Sequence, residues 1–428
     1  MSTKSRNLYR RDLLKGVTYF FTGIGISQLV SCSSDEKASN IPNTGDSKTN
    51  SAPDTNGQKN SVEPVKLGLV AALTGESALS GEAISRGLTI AIEEVNQAGG
   101  VLGGRPLELI SRDDESTPAK GVAAARELIE QEKVAVVFGG IDSSVSLAML
   151  PVLQELKVPY MGVWAAATTI TRNDFEPNYA FRVSANDNLV DKFLLRYAKE
   201  KHNVNKVGLM LINNPWGESN QQGFEEWAPK YNIKIAGIEK FNEEDTDVTA
   251  QLTRLKSSGT EALMLVANAA PAAQVMRSLT RINWDITIIS HWGISGGRFS
   301  ELAGEMANKV EFVQTYSFFN PQGEVGQKVL KELNAKFQLK DPSEILAPVG
   351  TANAYDALML TAKAIDVAGT TEGAKLQSAL LNLPQYKGLI KTYDKPFTAE
   401  SHDALTEDDY IMVRWEGNKI VPVDNKSK

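Results

Sequence analysis

"VKLGLVAALTGESALSGEAISRGLTIAIEEVNQAGGVLGGRPLELISRD", residues 65–113, decides the fold. Its opening run, "VKLGLVAAL", is continuously apolar apart from Lys66, as in a strand covered on both faces. Past the turn residues of "TGES", Ile84, Leu88, Ala91, Ile92 and Val95 recur at helical spacing, and "AGG" at 98–100 closes that helix as a C-cap glycine does. "GVLGGRP" then turns the chain into a second run, "LELISRD". Strand, helix and strand in this order make a βαβ unit, which predicts a parallel sheet. The glycines follow a helix and precede a strand, the reverse of a phosphate-cradling loop, so no nucleotide site is read from them.

The same alternation runs outward from this segment. The further apolar runs are "VAVVFGG", "PYMGVWA", "KVGLMLI", "IKIAGIEKF", "ALMLVAN" and "TIISHW". Two groups of four predict an α/β fold of two doubly wound, Rossmann-like lobes, with "FRVSANDN" (181–188) as the first crossing. "PVGTANAYDALMLTAKAIDVAG" reads as a helix with Ala354, Leu358, Thr361 and Ile365 on one face, and "YIMVRWEGNKIVPV" as a final hairpin. A body of about 360 residues, 64–424, suits two lobes rather than one core.

The ends carry a different signal. Residues 1–31 hold Lys4, Arg6, Arg10, Arg11 and Lys15 against one acid, Asp12, followed by the apolar stretch Val17–Val30. As a helix that stretch rises only about 21 Å, short of the roughly 30 Å hydrocarbon core, so it is expected to be a removable export signal. "YRRDLLKG" resembles the twin-arginine export signal, and "LVSC" a bacterial lipoprotein box whose cysteine is acylated. The one cysteine of the chain, Cys32, is thereby expected to become a lipid anchor on the outer face of the cell membrane, the periplasmic side. Residues 32–63, rich in Ser, Asn, Asp, Thr and Pro, read as a disordered tether. Loss of five positive charges and one negative takes the net charge from −7 to −11, which argues against nucleic acid as a partner.

The run from Thr74 to Lys120, with "PYMGVWAAATT", "FRVSANDN", "KVGLMLINNPWGESNQQGF" and "VTAQLTRLKSSGTEALMLVAN", closely resembles the type I periplasmic solute-binding proteins of the branched-chain amino acid importers. The resemblance implies two lobes joined by three hinge crossings near residues 184, 316 and 407. Lobe 1 would then comprise 64–184 and 317–406, and lobe 2 would comprise 185–316 and 407–428. It also implies a ligand enclosed between the lobes, no catalysis and no cofactor, and delivery of the ligand to an ABC permease and ATPase. A ligand sensor using the same clamp is the alternative that the resemblance leaves open.

Ligands of open parallel sheets bind beyond the carboxyl ends of strands, so the loops there are the candidates. They are "TGESALSG" with Ser80, "GGIDSSVS" with Asp142, Ser143 and Ser144, and "WAAATT" with Trp164, Ala165, Ala167 and Thr168. From lobe 2 come "NNPWGE" with Trp216, "ANAAP" with Ala269, and "HWGISGG" with Trp292. Ser143 and Ser144 open a helix, whose free N–H groups can receive an anionic oxygen. The resemblance implies that Ser143 and groups at Ala165 and at Ala167 or Thr168 hold a ligand carboxylate, and that an aromatic ring at Trp216 stacks on the ligand. At the position matching Trp292, amino-acid-binding relatives carry an acid for the ligand ammonium, and "SHWGISGG" has none. Either Asp142 substitutes for it, or the ligand is not a standard α-amino acid. The expected ligand is a small hydrophobic amino acid or a related apolar or aromatic carboxylate or amide.

"GISGG", 293–297, fits the G-x-S-x-G nucleophile elbow, with Ser295 and a downstream His402, so a serine hydrolase is the rival reading. The other histidines are dispersed and offer no metal spacing. The acids of "DDE" and "EEDTD" read as solvated surface.

Overall fold

The computed structural model describes residues 62–345 and 347–423; the export signal, Cys32 and all but the end of the tether lie outside the described residues. The chain opens with β1 (Val65–Ala71), α1 (Ala78–Gln97), β2 (Leu107–Asp113), α2 (Pro118–Glu130), β3 (Val137–Gly139), α3 (Ser143–Glu155), β4 (Tyr160–Gly162) and β5 (Ala180–Arg182). These five strands form an all-parallel sheet in the order β2-β1-β3-β4-β5. Continuous apolar strands belong there because helices cover both faces.

A second sheet follows, with α4 (Asp187–His202), β6 (Lys206–Ile212), α5 (Pro215–Trp227), β7 (Lys234–Phe241), α6 (Thr249–Ser257), β8 (Ala262–Val266), α7 (Ala269–Arg281), β9 (Thr287–Ser290), α8 (Phe299–Ala303) and β10 (Val310–Gln314). The chain then returns through α9 (Glu324–Phe337), α10 (Pro348–Ala368), α11 (Gly373–Leu381) and a small ribbon of β11 (Tyr386–Lys387) and β12 (Thr392–Tyr393). It ends in the hairpin β13 (Ile411–Glu416) and β14 (Lys419–Pro422). That hairpin joins β10 antiparallel and completes the order β14-β13-β10-β9-β8-β6-β7.

The returning helices belong with the first sheet. α10 is buried almost all round and lies along α1, whose Ile84, Leu88, Ala91 and Val95 are all buried. The two helices touch so closely at Gly87 that a Cβ there would stand 2.3 Å from the Thr351 carbonyl oxygen. The result is two α/β lobes, between which the chain passes after β5, after β10 and before β13.

The first of these passages is held by a buried network. Arg182, fully buried, donates Nε to Asp403 Oδ1 (2.7 Å), Nη2 to Thr171 Oγ1 (2.9 Å) and Nη1 to the Ala167 carbonyl (2.9 Å). Asn186 Nδ2 takes the other Asp403 oxygen at 2.7 Å. Backbone bonds from Arg182 N to His402 O and from Ala404 N to Arg182 O bind the same strand to the return segment. Every polar group of the guanidinium is answered, as a buried charge requires.

Two strands depart from the sequence expectation of four per lobe. β5 runs into the first two residues, Phe181 and Arg182, of the segment that reads as the crossing itself. In β10 the charge of Glu311 interrupts the apolar run; its carboxylate accepts from Tyr197 (3.0 Å) and lies 2.6 Å from His202 Nε2.

Candidate functional site

Each lobe has one place where adjacent parallel strands send their following helices to opposite faces. In the first sheet this is between β1 and β3, and in the second between β6 and β8. A crevice opens at such points because neighbouring loops diverge. The loops there are Ala72–Ser77, Gly140–Asp142, Asn213–Asn214 and Ala267–Asn268, and the two pairs face one another across the cleft.

The cleft is closed. Ser80 Oγ, in lobe 1, donates to the Gly296 carbonyl of lobe 2 at 2.7 Å, both in buried surroundings. Asn268 Nδ2 reaches Asp142 Oδ1 at 3.4 Å, and the Thr168 N–H donates to Ser219 Oγ at 3.0 Å. Trp164 packs on Trp292 with ring centroids 5.9 Å apart.

Two spaces remain inside. The outer is a cavity of about 300 Å3 bordered by Glu76, Ser80, Glu115, Asp142, Glu243 and Asn268, with Ala269 and the glycines of "GISGG" completing its wall. The inner, against Asp142, Ser143, Ser144, Trp164, Trp216 and Trp292, holds about 10 Å3, the space of one water molecule at most. The three tryptophans, all buried, fill the deep end of the cleft. A larger hollow of about 710 Å3 lies beside the crossings, away from the switch points, and its single lysine, Lys391, is bonded to Asp409.

The expected carboxylate cradle is only partly assembled. Ser143 Oγ accepts from the Ala167 N–H at 3.1 Å, and the Ala165 N–H donates to the Gly140 carbonyl. Thr168 gives its hydroxyl to Asn186 Oδ1 and its N–H to Ser219. Ala165, Ala167 and Thr168 therefore stand behind the wall with their polar groups spent, and none borders either space. Ser80, Asp142, Ser143, Ser144, Trp164, Trp216, Ala269 and Trp292 do border the cleft.

Trp216 is held from below: its Nε1 donates to Asp187 Oδ1 at 3.1 Å, and its ring meets the edge of His291. His291 Nδ1 accepts from the Trp292 N–H at 2.9 Å, which leaves Nε2 as the protonated nitrogen, 3.0 Å from Asp187 Oδ1 but outside hydrogen-bond alignment.

The acidic runs at the mouth keep Glu115, Glu243 and Glu244 exposed, as expected of solvated surface, whereas Asp114 of "DDE" is buried, which corrects the expectation there. Glu115 of "DDE" and Glu243 of "EEDTD" both follow strands and border the outer cavity, as does Glu76. The rule that selects loops after strands finds them; the loop after β2 and the loop after β7 satisfy it. Burial lifts the carboxyl of Asp142 above the ordinary range, and burial together with Asp142, Glu244 and Glu76 lifts that of Glu243. Next to them Asp114, 1% exposed, is pushed up to about 7, mainly by burial and then by the charges of Asp142 and Asp113. Ser295 lies buried with its hydroxyl donated to the Trp292 carbonyl at 2.7 Å. His402 is stacked on Phe181 and bonded to the Ala180 carbonyl, so the two are not brought together as a nucleophile and base. Among the described residues there is no group of acids and histidines able to hold a metal ion.

Two α/β lobes closing over a cavity at their switch points define a solute-binding clamp. The periplasmic binding protein family model matches residues 64–419, and the chain belongs to that family. The Leu/Ile/Val-binding protein homolog 3 of Brucella melitensis is 24% identical over 362 residues, covering 84% of this chain and 94% of the relative. The branched-chain amino acid transporter substrate-binding protein LivJ of Streptococcus pneumoniae, solved with isoleucine, superposes with a TM-score of 0.73 at 23% identity, over 84% of this chain and 98% of that one. A solute-binding protein of an ABC transporter from R. palustris, solved with benzoate, gives a TM-score of 0.71 at 21% identity, over 84% and 95%.

Proposed function

We propose that the chain is the solute receptor of an ABC importer, anchored outside the membrane by a lipid on Cys32 and capturing a small molecule between its lobes. Residues 64–184 and 317–406 move as one lobe, and 185–316 and 407–428 as the other. The observation that carries this reading is the cavity of about 300 Å3 at the meeting point of both switch-point crevices, bridged by Ser80 and Gly296. That volume is at the lower end of ligand pockets, which suits a solute of amino-acid size.

Binding shifts the balance of open and closed forms by the ligand's higher affinity for the closed one, and the closed shape is what a permease recognises. On opening, Trp164 and Trp292 separate, and an apolar or aromatic ligand body takes the place of one ring against the other. The relatives solved with isoleucine and with benzoate support an apolar body of this size. No step of the cycle calls for a catalytic residue.

The test couples binding to transport. A thermal-shift screen of the pure protein against amino acids, amines, aromatic acids and amides identifies stabilising solutes, and uptake of those solutes is then measured in cells with and without the gene. Uptake that disappears with the gene supports the reading. Binding with unchanged uptake points to sensing, and stabilisation by no small molecule removes the reading altogether.

A further inference from the structure

Trp216 and Trp292 both border the inner space, and one buried histidine lies between them. The ring of His291 meets Trp216 edge-on with centroids 5.1 Å apart, and Trp292 in the same manner at 5.7 Å. Its Nδ1 caps the turn Trp292–Ser295 by accepting the Trp292 N–H at 2.9 Å. The residue after that turn is Gly296, whose carbonyl receives Ser80 across the closed cleft. Trp216 is fixed against the same turn: a Cβ on Gly293 would stand 2.7 Å from Trp216 Cη2. The two rings, the histidine and the closure contact therefore form one packed group.

Asp187 joins this group to the hinge. It is the first residue of α4, directly after the first passage between the lobes, and its own N–H donates to the Ala166 carbonyl of lobe 1 at 2.9 Å. Its Oδ1 receives the Trp216 Nε1–H at 3.1 Å and faces His291 Nε2 at 3.0 Å. Asp187 and His291 are fully buried, and neither borders the outer cavity or the inner space, so an enclosed solute meets neither. Stability does not explain the pair: Asp187 Oδ2 and His291 Nε2 are sealed from solvent without a hydrogen-bond partner. A buried polar pair left partly unanswered contributes less than apolar side chains of the same volume would. What the pair supplies is direction. A buried indole N–H turns to the acceptor that is offered, and a carboxylate holds it about twice as strongly as a neutral oxygen.

We propose that Asp187 and His291 are positioning residues that lock Trp216 and Trp292 into one preset wall and tie that wall to the first crossing. A solute pressed on the rings is then felt at the hinge, and closure of the hinge is felt at the rings. The proposal rests on solute capture in this cleft and adds what sets the wall. The rings meet the solute; the acid and the histidine act through them.

The test uses the full-length chain, with isoleucine and benzoate, the solutes of the two solved relatives, as probes. The indole N–H signal of Trp216, recognised by its absence from the spectrum of Trp216→Phe, is followed by NMR, and calorimetry gives the affinity for each probe. Asp187→Asn replaces the charged acceptor by a neutral one. The Trp216 signal should then move upfield before any probe is added, and the affinity for a bound probe should fall about three- to tenfold. His291→Asn keeps an oxygen where Nδ1 accepts the Trp292 N–H but removes the ring between the tryptophans, so it should displace the same signal and weaken binding by a similar factor. A misfolded variant would lose every indole signal rather than move one. Trp216→Phe leaves Asp187 no N–H to hold, and in that background Asp187→Asn should change affinity by less than about twofold. If Asp187→Asn does not fold, His291→Asn in the native and Trp216→Phe backgrounds carries the same comparison.

The proposal is overturned if the Trp216 signal stays in place in the folded variants, or if their affinity for a bound probe stays within about twofold of the native chain. It is overturned as well if the substitution weakens binding equally with and without the Trp216 N–H, because the pair would then act by a general structural loss. A Trp216 signal that responds as expected in a chain that binds neither probe leaves the preset wall standing and counts against capture of these two solutes.

Discussion

Replacing Gly296 by alanine tests whether the two lobes meet as a clamp. Gly296 sits at φ −96°, ψ 0°, which alanine adopts without strain, so the substitution acts only through contact. Its Cβ would stand 2.1 Å from Ser80 Oγ and 3.0–3.1 Å from the Trp164 ring, where ordinary contact needs about 3.5–4.0 Å. Both obstacles belong to the opposite lobe. Rotation of the serine relieves the first but breaks the 2.7 Å bond to the Gly296 carbonyl, a loss of about 0.5–1.5 kcal/mol. The ring is wedged against Trp292 and cannot withdraw freely, which adds about 1–3 kcal/mol of overpacking. Together these shift the closed-to-open ratio by about tenfold to a thousandfold, at roughly 1.4 kcal/mol per decade. The expected outcome is a natively folded protein that binds its solute at least tenfold more weakly and compacts less in small-angle scattering. Ser80→Gly added to Gly296→Ala should recover part of the affinity. Affinity within twofold of the native chain, with full compaction, would refute the contact reasoning.

Other consequences follow from buried charges and from the N-terminal signal. Asp114 is held at about 7 in the fold against 3.8 when unfolded, so the native state keeps its proton longer; the stability tied to this group is present below about pH 4 and is lost as pH rises to 7. Asp114→Asn should therefore stabilise the protein at pH 8 relative to pH 5, by up to about 3 kcal/mol in urea titrations, and a constant difference at the two pH values would count against it. Asp403→Asn leaves the buried Arg182 guanidinium unpaired and should cost about 3–5 kcal/mol in the same titration, with an effect below 1 kcal/mol as the contrary result. Cys32→Ser should release the protein from the membrane fraction and abolish labelling by a fatty acid; retention in membranes would mean that some other segment anchors it.

Much of the architecture was legible because parallel strands must be continuous and apolar. The runs at 65–73 and 206–212 admit no other reading once helices of the right spacing lie between them. The hairpin at 411–422 was equally plain. β5 was not, since three residues carry no periodicity, and β10 was hidden by Glu311, whose charge is answered from α4 rather than by solvent. In the site, the strand-end rule selected loops that border the cleft but could not say which side chains point inward. The serine and tryptophans it chose do border the cleft, while Ala165 and Ala167 are consumed by Gly140, Ser143 and Arg182. Acidic runs conceal their surroundings best: Glu243 borders the cavity and its neighbour Glu244 does not, a distinction made by the path of one loop. Asn268 gave no signal of its own, because its partner Asp142 lies 126 positions away.

A spin label on Ser116 in lobe 1 and another on Glu244 in lobe 2, both exposed, report the mouth of the cleft directly. With Cys32 replaced by serine to keep labelling specific, the distance between them is measured with and without a stabilising solute. A broad, long distribution that collapses to a single shorter distance on binding is what a closing clamp requires. One distance, unchanged by any solute that binds, would mean that the lobes are a rigid body and that the cavity between them opens for nothing.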